Sequence, residues 1–245
     1  MRHLSAMLLL CWIGAVCLGA SEPARDLLRQ GSYVLHDIRV RVGHAVPVKQ
    51  ARIRSLGDNN VYRRINAESR PGIHVSTHYT MTRLYAGFDS VRVGWLAGFG
   101  LAFDSHHGDS TFVHDMPGGV QAAGARVSCH ALSLHGHAGL AMRFDTGAWP
   151  RLAPRSVQLE IGPFAGYGLA LAQSDLVSDN TSDVGDYVTF GGQAALSMAV
   201  GRVTRVELAG GYRLFYADVE WGDQTRTSTL RGRGLFATLG LGWDL

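Results

Sequence analysis

From Leu235 to Leu245 the chain alternates without a break. Leu235, Ala237, Leu239, Leu241, Trp243 and Leu245 take one side; Phe236, Thr238, Gly240, Gly242 and Asp244 take the other. Successive side chains of a strand point to opposite faces, so a period of two specifies a β-strand with one wholly apolar wall. Such a wall must be covered by a second layer of protein or by lipid. A strand edge must also be paired, because unpaired backbone groups away from water are costly.

The same period recurs back along the chain. Arg205 to Tyr216 sets Val206, Leu208, Tyr212, Leu214 and Tyr216 against Arg205, Glu207 and Arg213. Further alternating runs occupy 187–200, 156–172, 131–144, 90–104, 73–84 and 32–43. With the last run this makes eight strands. Connections 85–89, 145–155 and 201–204 are short to moderate, whereas 44–72, 105–119, 173–186 and 217–229 are long. Short turns at one rim and long loops at the other, with an even strand count, are the pattern of a closed antiparallel transmembrane β-barrel. A hidden hairpin within 44–72 would give ten strands. Val46 to Leu56 has no sustained apolar row and is interrupted by Arg52 and Arg54, which favours eight.

Energy decides which wall meets lipid. An Arg on the lipid face near midplane costs about 2–4 kcal/mol. The apolar rows of 90–104, 156–172 and 235–245 carry no charge, so these rows are expected outside. The other rows then fill the lumen with Arg39, Arg41, Arg92, Arg143, Arg205 and Arg213, beside Asp37, Glu160, Glu207 and Asp244. Eight strands enclose only enough space for side chains to fill. The expected result is a salt-bridged plug, and the alternative is a narrow path favouring anions. A gap lined by Gly94, Gly98, Gly100, Gly162, Gly166 and Gly168 would favour a conduit for small or hydrophobic solutes. A soluble periplasmic binding barrel would instead turn the apolar rows inward.

His74, His78, His135 and His137 fall on the same inward rows. Neutral imidazoles bind metals, but no Cys or carboxylate is tied to these by spacing, and a packing and hydrogen-bonding role is expected. Ser76 and Ser133 lie beside these histidines as candidate nucleophiles. Nucleophilic catalysis also needs an orienting acid and access for substrate. Both serines point into the lumen, and no enzyme activity, cofactor or metal is expected. The 44–72 connection carries Arg52, Arg54, Arg63 and Arg64, whose guanidinium groups suit phosphate; contact with lipopolysaccharide is an expectation from these residues.

Charged residues make up only 18% of the chain, and there are 31 glycines. The mature region lacks the run of apolar residues that a spanning helix needs. Residues 1–20 read as a secretory signal: Arg2 and His3, then an apolar Met7 to Leu18, then Gly19-Ala20. Residues 21–31 form a short leading segment and 32–245 the barrel. Of the three cysteines, only Cys129 lies outside the signal, so the mature chain has no internal disulfide. A net charge of +3 without a dense basic stripe argues against a nucleic-acid partner.

The ending Thr238–Gly240–Trp243–Leu245 resembles the insertion signal of outer-membrane barrels, although a terminal Phe is commoner there than Leu. With the strand pattern from Ser32 onward, the chain resembles the small eight-stranded outer-membrane barrels: OmpX, OmpW and the transmembrane part of OmpA. That resemblance implies an integral outer-membrane barrel, inserted by the barrel-assembly machinery, surrounded by outer-membrane lipid and lipopolysaccharide, and monomeric. It further implies a structural or surface-interaction role through the exposed loops. A lipid A-modifying enzyme is a remoter alternative.

Overall fold

A computed structural model describes residues 31–55, 61–68, 72–85, 91–116, 119–145, 156–174, 183–200, 203–220 and 226–245. The expected signal and most of the leading segment lie outside them. The described chain is all β: β1 (Tyr33–Ala45), β2 (Val48–Ser55), β3 (Val61–Glu68), β4 (Gly72–Tyr85), β5 (Val91–Met116), β6 (Gly119–Asp145), β7 (Ser156–Ser174), β8 (Asp183–Ala199), β9 (Thr204–Glu220) and β10 (Arg226–Asp244).

Every pairing is antiparallel, and the sheet closes. Strands β4 to β10 pair in sequence, β1 pairs with β4, and β1 meets β10 with Ile38 opposite Trp243 and Val42 opposite Leu239. This ring contains eight strands. Strands β2 and β3 do not widen it. β2 continues β1 past Val46-Pro47 and pairs with β10 beyond the point where β1 leaves it. β3 leads into β4 and pairs with β5 beyond the β4 segment. The ring therefore keeps eight strands from rim to rim, with the strand formed by β1 and β2 and that formed by β3 and β4 each broken once.

The hairpin disfavoured from the sequence is thus present. Residues 48–55 do lack an apolar row, but a strand standing beyond the lipid needs none on its outer side. The 105–119 connection is also largely strand. β5 and β6 are 26 and 27 residues long, whereas a strand crosses a hydrocarbon core in about 9–11 residues.

The walls follow the alternation. On β4 exposed Ile73 and Val75 interleave with buried His74 and Ser76. On β6 Leu132, Leu134 and Leu140 are exposed while Ser133, His135 and His137 are buried. Leu134 is 68% exposed and Arg39 2%, the reverse of a water-soluble fold. On β10 the exposed apolar row runs from Leu235 to Trp243, about the length needed to cross a hydrocarbon core obliquely. Aromatic side chains collect at its borders. Trp95 donates to the Tyr85 hydroxyl at 3.0 Å near the short-turn rim, and Phe103 stacks on His130 near the other. Arg83, the charge that breaks its apolar row, sits at the short-turn rim with its guanidinium 5.5 Å from the Tyr85 ring.

Towards the far rim the polarity reverses. The lumen there is apolar, packed by Val48, Cys129, Ala131, Tyr187, Phe215, Ala217, Val219 and Leu230, all buried. The outer row becomes polar, with exposed Arg231 and Arg233 above Leu235 on β10 and His107 beside His130 on β5 and β6. Cys129 is a packing residue of this cluster.

Candidate functional site

Among the described residues the lumen concentrates buried charge and hydrogen-bonding groups, and it is built in layers. Near the short-turn rim, alternation on β1 points Asp37, Arg39 and Arg41 inward, β7 adds Gln158 and Glu160, and β9 adds Arg205 and Glu207. Arg39 uses all five of its N–H donors. Nε and Nη2 donate to Asp37 at 2.5 and 2.9 Å, Nη1 and Nη2 to Glu160 at 2.7 and 2.8 Å, and Nη1 also to Glu207 at 2.7 Å. Arg41 Nε lies 2.5 Å from the other Glu207 oxygen. Gln158 donates to Glu160 at 2.7 Å, and Arg205 donates to Asp244 at 2.5 and 3.1 Å. A buried guanidinium with every donor used is a satisfied charge; its carboxylate partners depend on it equally.

Of the expected lumen charges, Arg39, Arg41, Glu160, Arg205, Glu207 and Arg213 are all buried inside. Arg92 and Arg143 are not part of that layer. Both reach Asp145 at the rim, at 3.3 and 3.0 Å, and Arg92 is about a third exposed and stacks over Tyr33. They lie near the β5 start and β6 end, where the lumen opens to water, so burial does not require them to join the plug.

Above the charged layer sit His78, His135 and His137, with ring centroids 5.4 and 6.3 Å from His78 to its two neighbours. They line a cavity with room for about one water, shared with Arg41, Gln193, Arg213 and Thr238. At two of the six glycines that a conduit would need as a gap, Gly98 and Gly166, these rings take the space. A Cβ on Gly98 would stand 2.4 Å from His137 Cε1, and one on Gly166 would stand 2.6 Å from His135 Cδ2. Glycine at these points lets an imidazole from the neighbouring strand lie flat on the barrel wall. Among the described residues no cluster of His, Cys, Asp or Glu has the geometry of a metal site.

One layer further, Arg213 donates to Asp104 at 2.6 Å and lies over the rings of Phe164 and Phe236, at 5.3 and 4.9 Å. Asp104 Oδ1 is also 2.7 Å from His74 Nδ1, and His74 Nε2 is 3.1 Å from Ser76 Oγ. Ser76, His74 and Asp104 thus stand in the order and at the spacing of a nucleophile–base–acid relay. Their surroundings oppose that use. Ser76 is buried, Arg213 holds the same carboxylate oxygen, and the apolar cluster closes the lumen above. There His106 stacks on Phe215 with centroids 3.9 Å apart, and the Tyr187 hydroxyl donates to Asp104 at 3.3 Å. No path leads an acyl group to Ser76 Oγ. Asp104 was visible in the sequence as an inward residue opposite the Phe103 row; its pairing across the barrel to β9 was not. The lid had a signal as well, since the inner row of β9 changes from Arg205, Glu207 and Arg213 to Phe215, Ala217 and Val219.

The remaining expected residues lie at the edges. Thr238 and Gly240 face the lumen, while Trp243 and Leu245 face out at the short-turn rim. Arg52 and Arg54 on β2 and Arg63 and Arg64 on β3 lie beyond the apolar band, with Arg52 opposite Arg63 in register. By residue type His106, His107, Asp109, His114 and Asp115 could form a surface metal site, with a solvated polar loop the favoured reading; all five belong to the extended part of β5, where His106 is buried in the lumen, His107 is on the opposite side, and only the backbone positions of the other three are described.

A closed antiparallel ring with an apolar outer belt, aromatic borders and a charged interior decides the class. The chain is an outer-membrane-type β-barrel. No protein-family model and no curated relative matches it. Similar solved structures are the outer membrane protease OmpT of Escherichia coli, Ail of Yersinia pestis in complex with the heparin analogue sucrose octasulfate, and Neisserial surface protein A. OmpT is 7% identical, with a TM-score of 0.43, covering 85% of this chain and 97% of its own. Ail is 13% identical, with a TM-score of 0.33, covering 86% and 99%. Neisserial surface protein A is 14% identical, with a TM-score of 0.30, covering 86% and 97%. No residue role passes from these structures to the present barrel, whose class rests on its own pairing and walls.

Proposed function

We propose that this protein is an integral outer-membrane barrel with a structural or surface-interaction role, carried by the strands that stand beyond the lipid rather than by passage through the lumen. The carrying observation is the buried layer in which Arg39 binds Asp37, Glu160 and Glu207 at once. A solute would have to separate these charges, and breaking a buried pair costs about 3–5 kcal/mol. The apolar lid of Tyr187, Phe215 and Leu230 is a second barrier. Half of β5 lies past Phe103, which leaves a broad hairpin available to partners. Insertion by the barrel-assembly machinery, contact with outer-membrane lipid and lipopolysaccharide, and a monomeric state belong to the same proposal.

Planar-bilayer recording tests it. The purified barrel should give no single-channel steps, and reproducible steps from the unmodified chain would contradict the closed-lumen reading. For the non-enzymatic part, a fluorophosphonate probe should leave Ser76 unlabelled in the folded barrel. Labelling that is lost in Ser76→Ala would establish a reactive serine instead.

A further inference from the structure

We infer that a cationic strip on the outer wall, directly above the apolar band, binds the phosphate groups of lipid headgroups in the surrounding leaflet. The inference rests on the membrane-barrel reading and adds the partner of one face. On β10 the outer row passes from Leu235, the most exposed apolar residue of the band, to Arg233 and Arg231, both exposed. Arg231 lies over the ring of its register partner Tyr216, at 5.1 Å. The backbone register carries the row sideways. Arg231 is opposite Gln50, Thr229 opposite Arg52 and Thr227 opposite Arg54, and Arg52 is in turn opposite Arg63. Exposed Lys49 occupies the register shift between β10 and β2.

By backbone register, five arginine positions from three neighbouring strands fall in one sector, Arg233 and Arg231 on β10, Arg52 and Arg54 on β2, and Arg63 on β3. Arg52 and Arg63 occupy directly opposed positions in the register, where like charges are destabilising. At the corresponding end of β8 and β9 the outer row carries Asp186 and Asp218, each bonded by a tyrosine hydroxyl, from Tyr167 at 2.7 Å and Tyr216 at 3.4 Å.

Position selects the partner. Arg233 is two residues past Leu235, about 7 Å along the strand, and less than that along the membrane normal once strand tilt is included. The exposed Arg231 and Arg233 thus stand at headgroup depth, continuous with the lipid-facing wall. Arg binds phosphate oxygens through paired N–H groups.

The test uses the full barrel refolded into phosphatidylcholine vesicles containing equal amounts of diphosphorylated lipid A and its dephosphorylated counterpart. Native mass spectrometry of the released barrel then counts the retained lipid. The unmodified chain should favour the phosphorylated form about thirtyfold, the effect expected of two surface arginines at an anionic layer. Arg231→Gln with Arg233→Gln should abolish the preference, and Arg52→Gln with Arg63→Gln should reduce it, while both variants keep the heat-shifted band of a folded barrel. An unchanged preference in the first double variant would overturn the inference. So would retention on heparin through the same arginines without lipid preference, which would assign the strip to a polyanionic glycan. A heat-shifted wild-type band with no lipid preference would defeat this inference alone, whereas no shifted band at all would defeat the membrane reading with it.

Discussion

The two halves of this barrel seal the same tube by opposite means. In the half surrounded by the apolar belt, the wall outside is Leu, Val and Phe, and the plug inside is ionic, centred on Arg39. In the half beyond the belt, the wall outside carries Arg231, Arg233, His107 and Asp218, and the plug inside is Tyr187, Phe215, Leu230 and small residues. Each half is polar where the other is apolar. Backbone alternation is continuous through both, so the reversal comes from sequence alone: the two rows exchange composition part-way along β9 and β10. The solvent outside sets the choice. Lipid outside demands an apolar outer row and leaves the inner row for charge; water outside permits an ordinary hydrophobic interior.

This contrast predicts unequal sensitivity. Arg39→Ala should be the most damaging lumen change, at about 3–5 kcal/mol, because it leaves Asp37, Glu160 and Glu207 buried without their shared cation. The urea midpoint of refolding into detergent or lipid would register it, and a loss near zero would mean that the charged layer is hydrated rather than dry. At the boundary between the plugs, Asp104→Asn should cost about 3–5 kcal/mol by leaving the buried Arg213 without its ionic partner. On the outer wall, Leu134→Arg should cost about 2–4 kcal/mol in lipid and much less in a soluble setting, as comparison of vesicle and detergent unfolding would reveal. In the apolar lid, Tyr187→Phe should cost only about 0.5–1.5 kcal/mol, the worth of its hydrogen bond to Asp104. If Tyr187→Phe proved as costly as Arg39→Ala, the distinction between an ionic and an apolar seal would fail.

The sequence carried the walls more fully than the pairings. Period-two alternation located all eight ring strands and assigned His74, His78, His135, His137, Arg39, Glu160 and Glu207 to the interior, because parity alone settles sidedness once one row is known to meet lipid. It did not show β2 and β3. These strands continue the ring beyond the apolar band, so Arg52 and Arg54 interrupt the apolar row without interrupting the strand. It also left Arg92 and Arg143 inside, because parity fixes the side of a residue but not its height, and near the rim an inward residue still reaches water. The Ser76–His74–Asp104 relay was half legible. Spacing of two on β4 brought Ser76 to His74, whereas Asp104 arrives from β5 through the strand register, with His74 opposite Asp104. Gly98 and Gly166 were seen as candidate gaps; only the cross-strand geometry shows that imidazole rings occupy the space.

The central claim is that the wall reverses polarity where the bilayer ends, between Leu235 and Arg233 on β10. Nitroxide labels at Leu134→Cys and Arg231→Cys, on a Cys129→Ala background in lipid vesicles, test this directly through their collision rates with oxygen and with a water-soluble nickel chelate. Position 134 should be accessible to oxygen and shielded from nickel, and position 231 should be accessible to nickel. Equal nickel access at both positions would contradict the claim and point to a barrel that stands in water throughout.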